Sequence, residues 1–337
     1  MTQEFIAEVG VNHEGSLKNA KLMIDQLSEI GCKIVKFQTY KSELIAAKTA
    51  KAYWDLTKES ATNQRELFAK YDNFTKHDYI HLAEYAKAKN MEFMTTFFDI
   101  RTMPELIDYV DRVKIASADL TNYELLEALS AKGKPIILST GAATLEEVSE
   151  AVEYLLSQSV SDISLLHCVL RYPTDPKYAA LSRISELKNR FPTLTIGYSD
   201  HTAPNNNFLV QIAAYLLGAR LLEKHFTFDK SLKGNDHYHS FDKDDLSEYF
   251  SRIAQIDEVL DFEEITFIQN QVDARTQARR GLYYFSELEC GSTISAKDVI
   301  ALRPVAEIPA SSYFSIIGKK LKVNIQEGDA IRLSDFE

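Results

Sequence analysis

Short apolar runs rich in branched residues alternate with amphipathic stretches along most of this chain. Runs at 5–9, 34–38, 92–97, 112–116, 135–140, 163–168, 194–198 and 220–225 read as strands. Between them, stretches at 17–30, 76–89, 124–131, 145–157 and 180–190 carry apolar residues at three- and four-residue spacing, which predicts helices. A further helical stretch spans 206–217. Gly31, Gly133 and Gly218 stand where three of these helices should stop. Eight strands, each followed by a helix, predict an α/β fold, a (β/α)8 TIM barrel of about 250 residues. A doubly wound open sheet is the competing architecture. The count of eight, and the lack of a glycine-rich first turn, favour the barrel. The segment 39–75 is too long for an ordinary strand-to-helix loop and predicts a functional lid.

The pattern changes after Ser240. A charged helix is expected over 243–260, closing a barrel domain at 1–265, and 266–280 reads as a linker. From 281 to 337 the chain becomes a small β-rich module with an internal pseudo-repeat. Gly291, Ile294 and Asp298 recur as Gly328, Ile331 and Asp335. So short a module has little core of its own and is expected to pack on something.

Charge narrows the classes of partner. The formal net charge is −11, which argues against nucleic acid and anionic membranes, since both need basic stripes. A local cluster of lysines can still hold an anionic substrate. Cys32, Cys168 and Cys290 are far apart and form no metal or disulfide pattern, so the expected compartment is the cytoplasm. The chain opens on no basic segment with a long apolar run, and no stretch is long enough to span a bilayer, so neither a signal peptide nor a membrane anchor is expected.

In a barrel, catalytic groups gather at the C-terminal ends of the strands. Those ends hold an unusual polar collection: Glu8, Lys36, Gln38, Thr96, Lys114, Ser117, Asp119, Ser139, His167, Tyr172, Ser199, Asp200, His201, Glu223 and His225. Lys36 and Lys114 each sit inside an apolar run, where an unpaired ammonium is costly. Either they form internal ion pairs with Glu8 or Glu223, or they clamp a phosphate or carboxylate. Two such lysines beside Thr96, Ser117 and Ser139 favour the anion site. His201 and His225 follow neighbouring strands, with Asp200 and Glu223 close in sequence. One histidine there is more often a core residue, but two suit a divalent metal such as Mn, Zn or Fe. His167 reads as packed at its strand end. His237 and His239 either line the mouth or lie in solvent. Arg303 is either a surface charge or a group that reaches substrate.

The motifs resemble one family across nearly the whole chain, the sialic acid synthases and their relatives for legionaminic and pseudaminic acid. The segments are IAEVGVNHEG at 6–15, VKFQT at 35–39, KIAS at 114–117, GKPIILSTG at 133–141, LHC at 166–168, YPT at 172–174, GYSDHT at 197–202, EKHFT at 223–227 and GNDH at 234–237. In the tail, LRP at 302–304 and IGKK at 317–320 resemble the antifreeze-like SAF domain of those enzymes.

The resemblance implies a transferase that condenses phosphoenolpyruvate with an open-chain N-acyl sugar, such as N-acetylmannosamine or a related N-acyl hexosamine. The products would be a nine-carbon 2-keto sugar acid and phosphate. It implies a divalent metal on His201 and His225, with Mn2+ expected and Mg2+ or Co2+ as alternatives. Lys36, Thr96, Lys114, Ser117, Ser139, Tyr172 and Ser199 match phosphoenolpyruvate contacts. Glu8, Gln38, Asp236 and Arg303 match groups around the sugar and the reacting centre, and Glu8 or Asp119 would move protons. It also implies a domain-swapped homodimer, in which Arg303 acts on the partner's barrel. Three positions depart from the family pattern. Leu170 stands where the family has Asn, with Arg171 beside it as a replacement contact. Thr95-Thr96-Phe97-Phe98 replaces Ser-Thr-Pro-Phe. Lys233-Gly234-Asn235 replaces Pro-Gly-Pro. Two other readings share features with this one: a synthase acting on a phosphorylated aldose, and a sugar-binding protein that kept the fold. Retention of Lys36, Lys114, His201 and His225 argues against the second.

Overall fold

The computed structural model describes residues 3–337 except 55, 58, 206, 235 and 262. The described residues divide into two compact units, Met1–Glu258 and Val259–Glu337. In the first, eight parallel strands close into a barrel in sequence order. They are β1 (Glu4–Gly10), β2 (Ile34–Thr39), β3 (Glu92–Phe97), β4 (Val113–Ile115), β5 (Ile136–Ser139), β6 (Ile163–Cys168), β7 (Thr195–Asp200) and β8 (Leu221–His225). The TIM barrel expected from the alternating pattern is therefore the fold.

A strand's side chains alternate between its two faces, so each strand serves two layers. The outward set, including Phe5, Ala7, Val35, Phe37, Ile115, Leu138, Leu165 and Leu222, joins the helices in the main apolar core. Each large aliphatic or aromatic side chain removed from water there contributes about 1.5–3 kcal/mol. The inward set starts with a small apolar plug, Ile6, Ile34, Met94, Ile137, Leu166 and Leu221. Two residues beyond Ile6, Ile34, Met94, Ile137 and Leu221 the inward positions turn polar, as Glu8, Lys36, Thr96, Ser139 and Glu223. Gly197 belongs to the plug layer, where a Cβ would lie 2.4 Å from Leu166 and 2.5 Å from the Leu221 carbonyl oxygen.

The surrounding helices begin where their caps say they should. Thr75 and Asp78 form a capping box at Lys76–Ala88, as do Thr144 and Glu147 at Leu145–Ser157. One connection breaks the expected pattern. Between β3 and β4 there is no α-helix, only the 3-10 turns Met103–Glu105 and Ile107–Tyr109. Asp99 draws the backbone N–H groups of Arg101 and Thr102 onto its carboxylate, and Pro104 follows, so the chain turns before a helix starts. The long segment after β2 holds two short helices, Ser42–Ile45 and Gln64–Tyr71, and Lys51 bridges Asn63 between them. Asn206, within a stretch expected to be helical, and Lys58, within the expected lid, lie outside the described residues.

In the second unit, the segment expected as a linker carries the helices Glu264–Gln269 and Val272–Ala278. Beyond it, β9 (Gly281–Tyr284) pairs antiparallel with β10 (Val299–Leu302). A separate core of Leu282, Tyr284, Ile294, Ile316, Leu321, Ile331 and Phe336 fills this module. The pseudo-repeat has a structural counterpart. Gly291 and Gly328 adopt φ of 87° and 86°, and Ile294 and Ile331 are both fully buried. Asp298 and Asp335 then each accept a backbone N–H, from Ser295 and from Arg332, to close equivalent 3-10 turns. No described helix is long and apolar enough to cross a membrane.

Candidate active site

The polar layer of the barrel follows from strand register. Glu8 pairs with Lys36 on β2 and with His225 on β8. Gln38 pairs with Thr96, Thr96 with Lys114, and Ser199 with Glu223. Because side chains share a face at every second residue, these groups converge at the C-terminal end of the barrel. They line a cavity of about 460 Å³.

At its floor lies an ionic cage. Lys36 is ion-paired with Glu8, donates to Thr96 Oγ1 at 3.0 Å, and stands 3.7 Å from Glu223. Lys114 approaches Glu223 from the other side at 3.6 Å. Ser199 donates to Glu223 at 2.9 Å, and Gln38 donates to Glu8 at 3.0 Å. All four ionisable groups are buried. Burial opposes the charge on Lys36, yet Glu223 and Glu8 together hold its pKa above the ordinary lysine value. Burial pulls Lys114 below its usual value, with Glu223 opposing the shift. Burial raises Glu8 toward its protonated form, against the pull of Lys36. Glu223 is depressed: burial raises it, but the two lysines outweigh burial.

Internal pairing and an anion site were the alternatives for the lysines, with the anion site favoured. The lysines are paired, and they also line the cavity. Around them stand hydroxyls. Ser117 accepts the Gly141 N–H at 2.8 Å, and the buried Ser139 Oγ has no hydrogen-bond partner among the described residues. Asp119 shares a 3-10 turn with Ser117, accepts from Asn122 at 3.1 Å, and is raised by burial.

The two histidines meet as expected, with ring centroids 5.5 Å apart. His201 Nδ1 lies 2.9 Å from the Val169 carbonyl oxygen, so it carries the proton and leaves Nε2 with a lone pair. His225 Nδ1 is buried, has no hydrogen-bond partner among the described residues, and lies 3.5 Å from Asp236 Oδ2. Burial, then His239 and His201, keep the His225 pKa well below its usual value. A neutral imidazole is the form a metal needs. These residues fit a divalent cation. Tyr172 packs over His201 at 4.1 Å between centroids.

Of the expected site residues, all except Arg303 line this one cavity. Arg303 follows β10 in the second unit and is exposed. Three nearby expectations are corrected. Asp200 does not sit beside the histidines, because it is one residue off the inward register. It points outward to Lys224 at 2.7 Å, while Gln211, Thr202 and Tyr198 complete its bonds. Arg171 does not replace the missing Asn contact: it is exposed with its guanidinium 6.0 Å from the Tyr178 ring, and Leu170 lines the cavity. His237 is not a solvated loop residue: it is buried between Thr227 and Glu14, 2.7 Å from each. His167, packed as expected, bonds the Ala179 carbonyl oxygen.

Two features go beyond what the sequence assigns. Glu223, expected as an ion-pair partner or as a carboxylate beside the histidines, stands between both lysines at the cavity floor; its place two residues before His225 on an inward face is the available signal. Tyr40, Tyr53, Trp54, Phe68 and Tyr71 form an aromatic wall contributed by the segment after β2. No sequence pattern locates that wall, because it depends on where the segment folds back.

Comparison with known proteins adds three findings. The NeuB family model matches residues 23–264, and the SAF domain model matches 279–337. The chain is 35% identical to the N,N'-diacetyllegionaminic acid synthase of Legionella pneumophila, over 100% of this chain and 95% of that protein. It is 32% identical to the N-acetylneuraminate-9-phosphate synthase of Drosophila melanogaster, over 97% of this chain and 94% of that protein. Among solved structures, the N-acetylneuraminic acid (sialic acid) synthetase of Leptospira borgpetersenii matches with a TM-score of 0.71 and 32% identity, covering 82% of this chain and 92% of that one.

Proposed function

The chain belongs to the NeuB family, and from that premise we propose that it condenses phosphoenolpyruvate with an N-acyl sugar in its open aldehyde form. It is a synthase, a transferase that forms carbon–carbon bonds. The observation that carries the substrate pair is the cavity itself. Lys36 and Lys114 at the floor, though paired with Glu8 and Glu223, stand beside hydroxyls and suit a phosphate and a carboxylate, and the aromatic wall suits the apolar face and acyl group of a sugar.

In this reading Lys36, Lys114, Thr96, Ser117, Ser139 and Ser199 hold phosphoenolpyruvate in fixed geometry. Tyr172 joins them, and Gln38 and Asp236 hold the sugar. C3 of the enol forms a bond to the aldehyde carbon, and the aldehyde oxygen takes up a proton. Glu8, held toward its protonated form by burial, is placed to give that proton. Positive charge develops at C2, beside Glu223. Water adds at C2 and loses one proton to Asp119; the C2–O bond to phosphate then breaks as the remaining hydroxyl proton passes to the departing phosphate, leaving the 2-keto acid. A divalent cation on His201 and His225, with Mn2+ the first candidate, would supply Lewis-acid polarisation of the aldehyde. Arg303, exposed on the second unit, belongs to the same proposal as a sugar contact supplied by a second copy of the chain.

The test is phosphate release from phosphoenolpyruvate with Mn2+ and a panel of N-acyl hexosamines and phosphorylated aldoses. Release with an N-acyl sugar, abolished by chelation, is expected. Release only with phosphorylated aldoses lacking an acyl group would overturn the sugar assignment, and chelator-insensitive release would overturn the metal role. Mixing inactive His201→Ala and Arg303→Ala chains, unfolded and refolded together, is expected to restore part of the activity. No recovery would remove Arg303 from the partner's site.

A further inference from the structure

The turn after β8 holds a third imidazole beside the pair already described. Asp236 precedes the 3-10 turn His237–His239. In a 3-10 turn, residues three apart stand one above the other. Asp236 and His239 therefore share a side, while His237 between them turns away to Thr227 and Glu14. The His239 side chain is fully buried. Its ring centroid is 4.9 Å from that of His225 and 6.3 Å from that of His201. One ligand atom from each of His225, Asp236 and His239 falls within 4.8 Å of the others. A single ion bound at about 2 Å from each ligand needs ligand atoms that close.

The turn is also held rigidly. Ser240 Oγ donates to the Asp236 carbonyl oxygen at 2.6 Å, and Asn12 donates to Ser240 Oγ at 2.9 Å. Tyr238 donates to the Tyr172 carbonyl oxygen at 3.1 Å. Into this space points His225 Nδ1, buried and without a hydrogen-bond partner among the described residues. A site of oxygen and nitrogen ligands on fixed backbone is pre-organised for a cation.

We propose that His239 is a third imidazole ligand of the metal centre beside His201, closing on the ion with His225 and the Asp236 carboxylate, whose ligand atoms stand within reach of one ion. This rests on the metal site of the proposed function. Three imidazoles favour later first-row ions, so the centre retains Co2+ or Zn2+ more firmly than Mn2+.

The test uses the full chain, stripped with chelator and titrated with Co2+. It reads the visible ligand-field spectrum and the dissociation constant from competition with a chromophoric chelator, with no substrate present. The expected result is one tight ion per chain, weakened about tenfold or more in His239→Ala and His239→Gln, with a changed spectrum, and weakened also in His201→Ala. Wild-type affinity and spectrum in both His239 variants, with His201→Ala still weakened, would overturn the third ligand and leave the metal site standing. Recovery of wild-type affinity by His239→Gln alone would also overturn it, because glutamine fills the space without supplying the imidazole. A wild-type chain that binds no Co2+, or one unaffected by His201→Ala, would remove the metal site itself. Circular dichroism of each variant checks that the fold is intact.

Discussion

Two buried ionic groups adjoin on β8, where Glu223 belongs to one and the next residue, Lys224, to the other, and they differ in what they face. On the inner face, Lys36, Glu8, Glu223 and Lys114 form a cage that lines the cavity. On the outer face, Lys224 and Asp200 form a pair that does not line that cavity. Lys224 donates to Asp200 and to the Thr202 carbonyl oxygen, and Asp200 also takes bonds from Tyr198, Gln211 and Thr202. Both pair members are 0% exposed. Burial of charge therefore does not by itself mark a functional site. The outer pair is closed on itself and fastens β7 to β8. The inner cage has an opening, and its charges remain available to a ligand.

Substitutions separate the two. The largest effect is expected from Lys36→Met: phosphate release falls about a thousandfold or more, because a charge that meets the reacting phosphoenolpyruvate is gone. Its thermal unfolding shifts less than that of the outer variant. Next is Lys224→Met, which leaves Asp200 buried without its cation and costs about 3–5 kcal/mol of stability in denaturant unfolding. Its turnover per folded molecule stays within about threefold of wild type. If Lys224→Met abolished turnover at full folding, the division into a structural and a functional group would fail.

Gly197→Ala tests the strand that carries both groups, since Ser199 faces the cage and Asp200 the outer pair. The added Cβ meets a backbone carbonyl oxygen at 2.5 Å, which cannot swing aside. A loss of about 1–3 kcal/mol is expected, together with a lower kcat. Unchanged stability would show that the barrel interior yields more than its packing implies.

The smallest effect isolates a buried titratable group belonging to neither network. His13 stacks on Phe74 at 4.4 Å, and burial pushes its pKa down to about 4. Its folded pKa lies below the unfolded one, so the unfolded chain takes up a proton first as pH falls. Stability is fully present above about pH 6.5 and is lost as pH drops toward 4, by at most about 3 kcal/mol. In denaturant melts, His13→Gln is expected to flatten this pH dependence. An unchanged slope would assign it to other groups.

Much of this was legible in the chain, for physical reasons that differ by element. The strands could be read because parallel barrel strands are buried on both faces, which leaves continuous apolar runs. Lys36, Lys114, His201 and His225 stood out because charge and imidazole interrupt such runs. The face of each residue was less legible. Asp200 and Glu223 looked equivalent beside the histidines until register separated them. The connection after β3 escaped because one side chain, Asp99, diverts the backbone there. For His239 the sequence left the mouth and solvent open, because its place beside Asp236 is set by a 3-10 turn, whose period no apolar pattern announces.

If the open cage binds phosphoenolpyruvate and directs its condensation with an N-acyl sugar, the bond that breaks is C–O. Phosphoenolpyruvate carrying 18O at the bridging C–O–P oxygen, with mass spectrometry of both products, tests this. Sugar-dependent release of phosphate that retains the label is expected, with a 2-keto sugar acid whose C2 oxygen comes from water. Phosphate released without sugar, or a label found in the sugar acid, would overturn the reading.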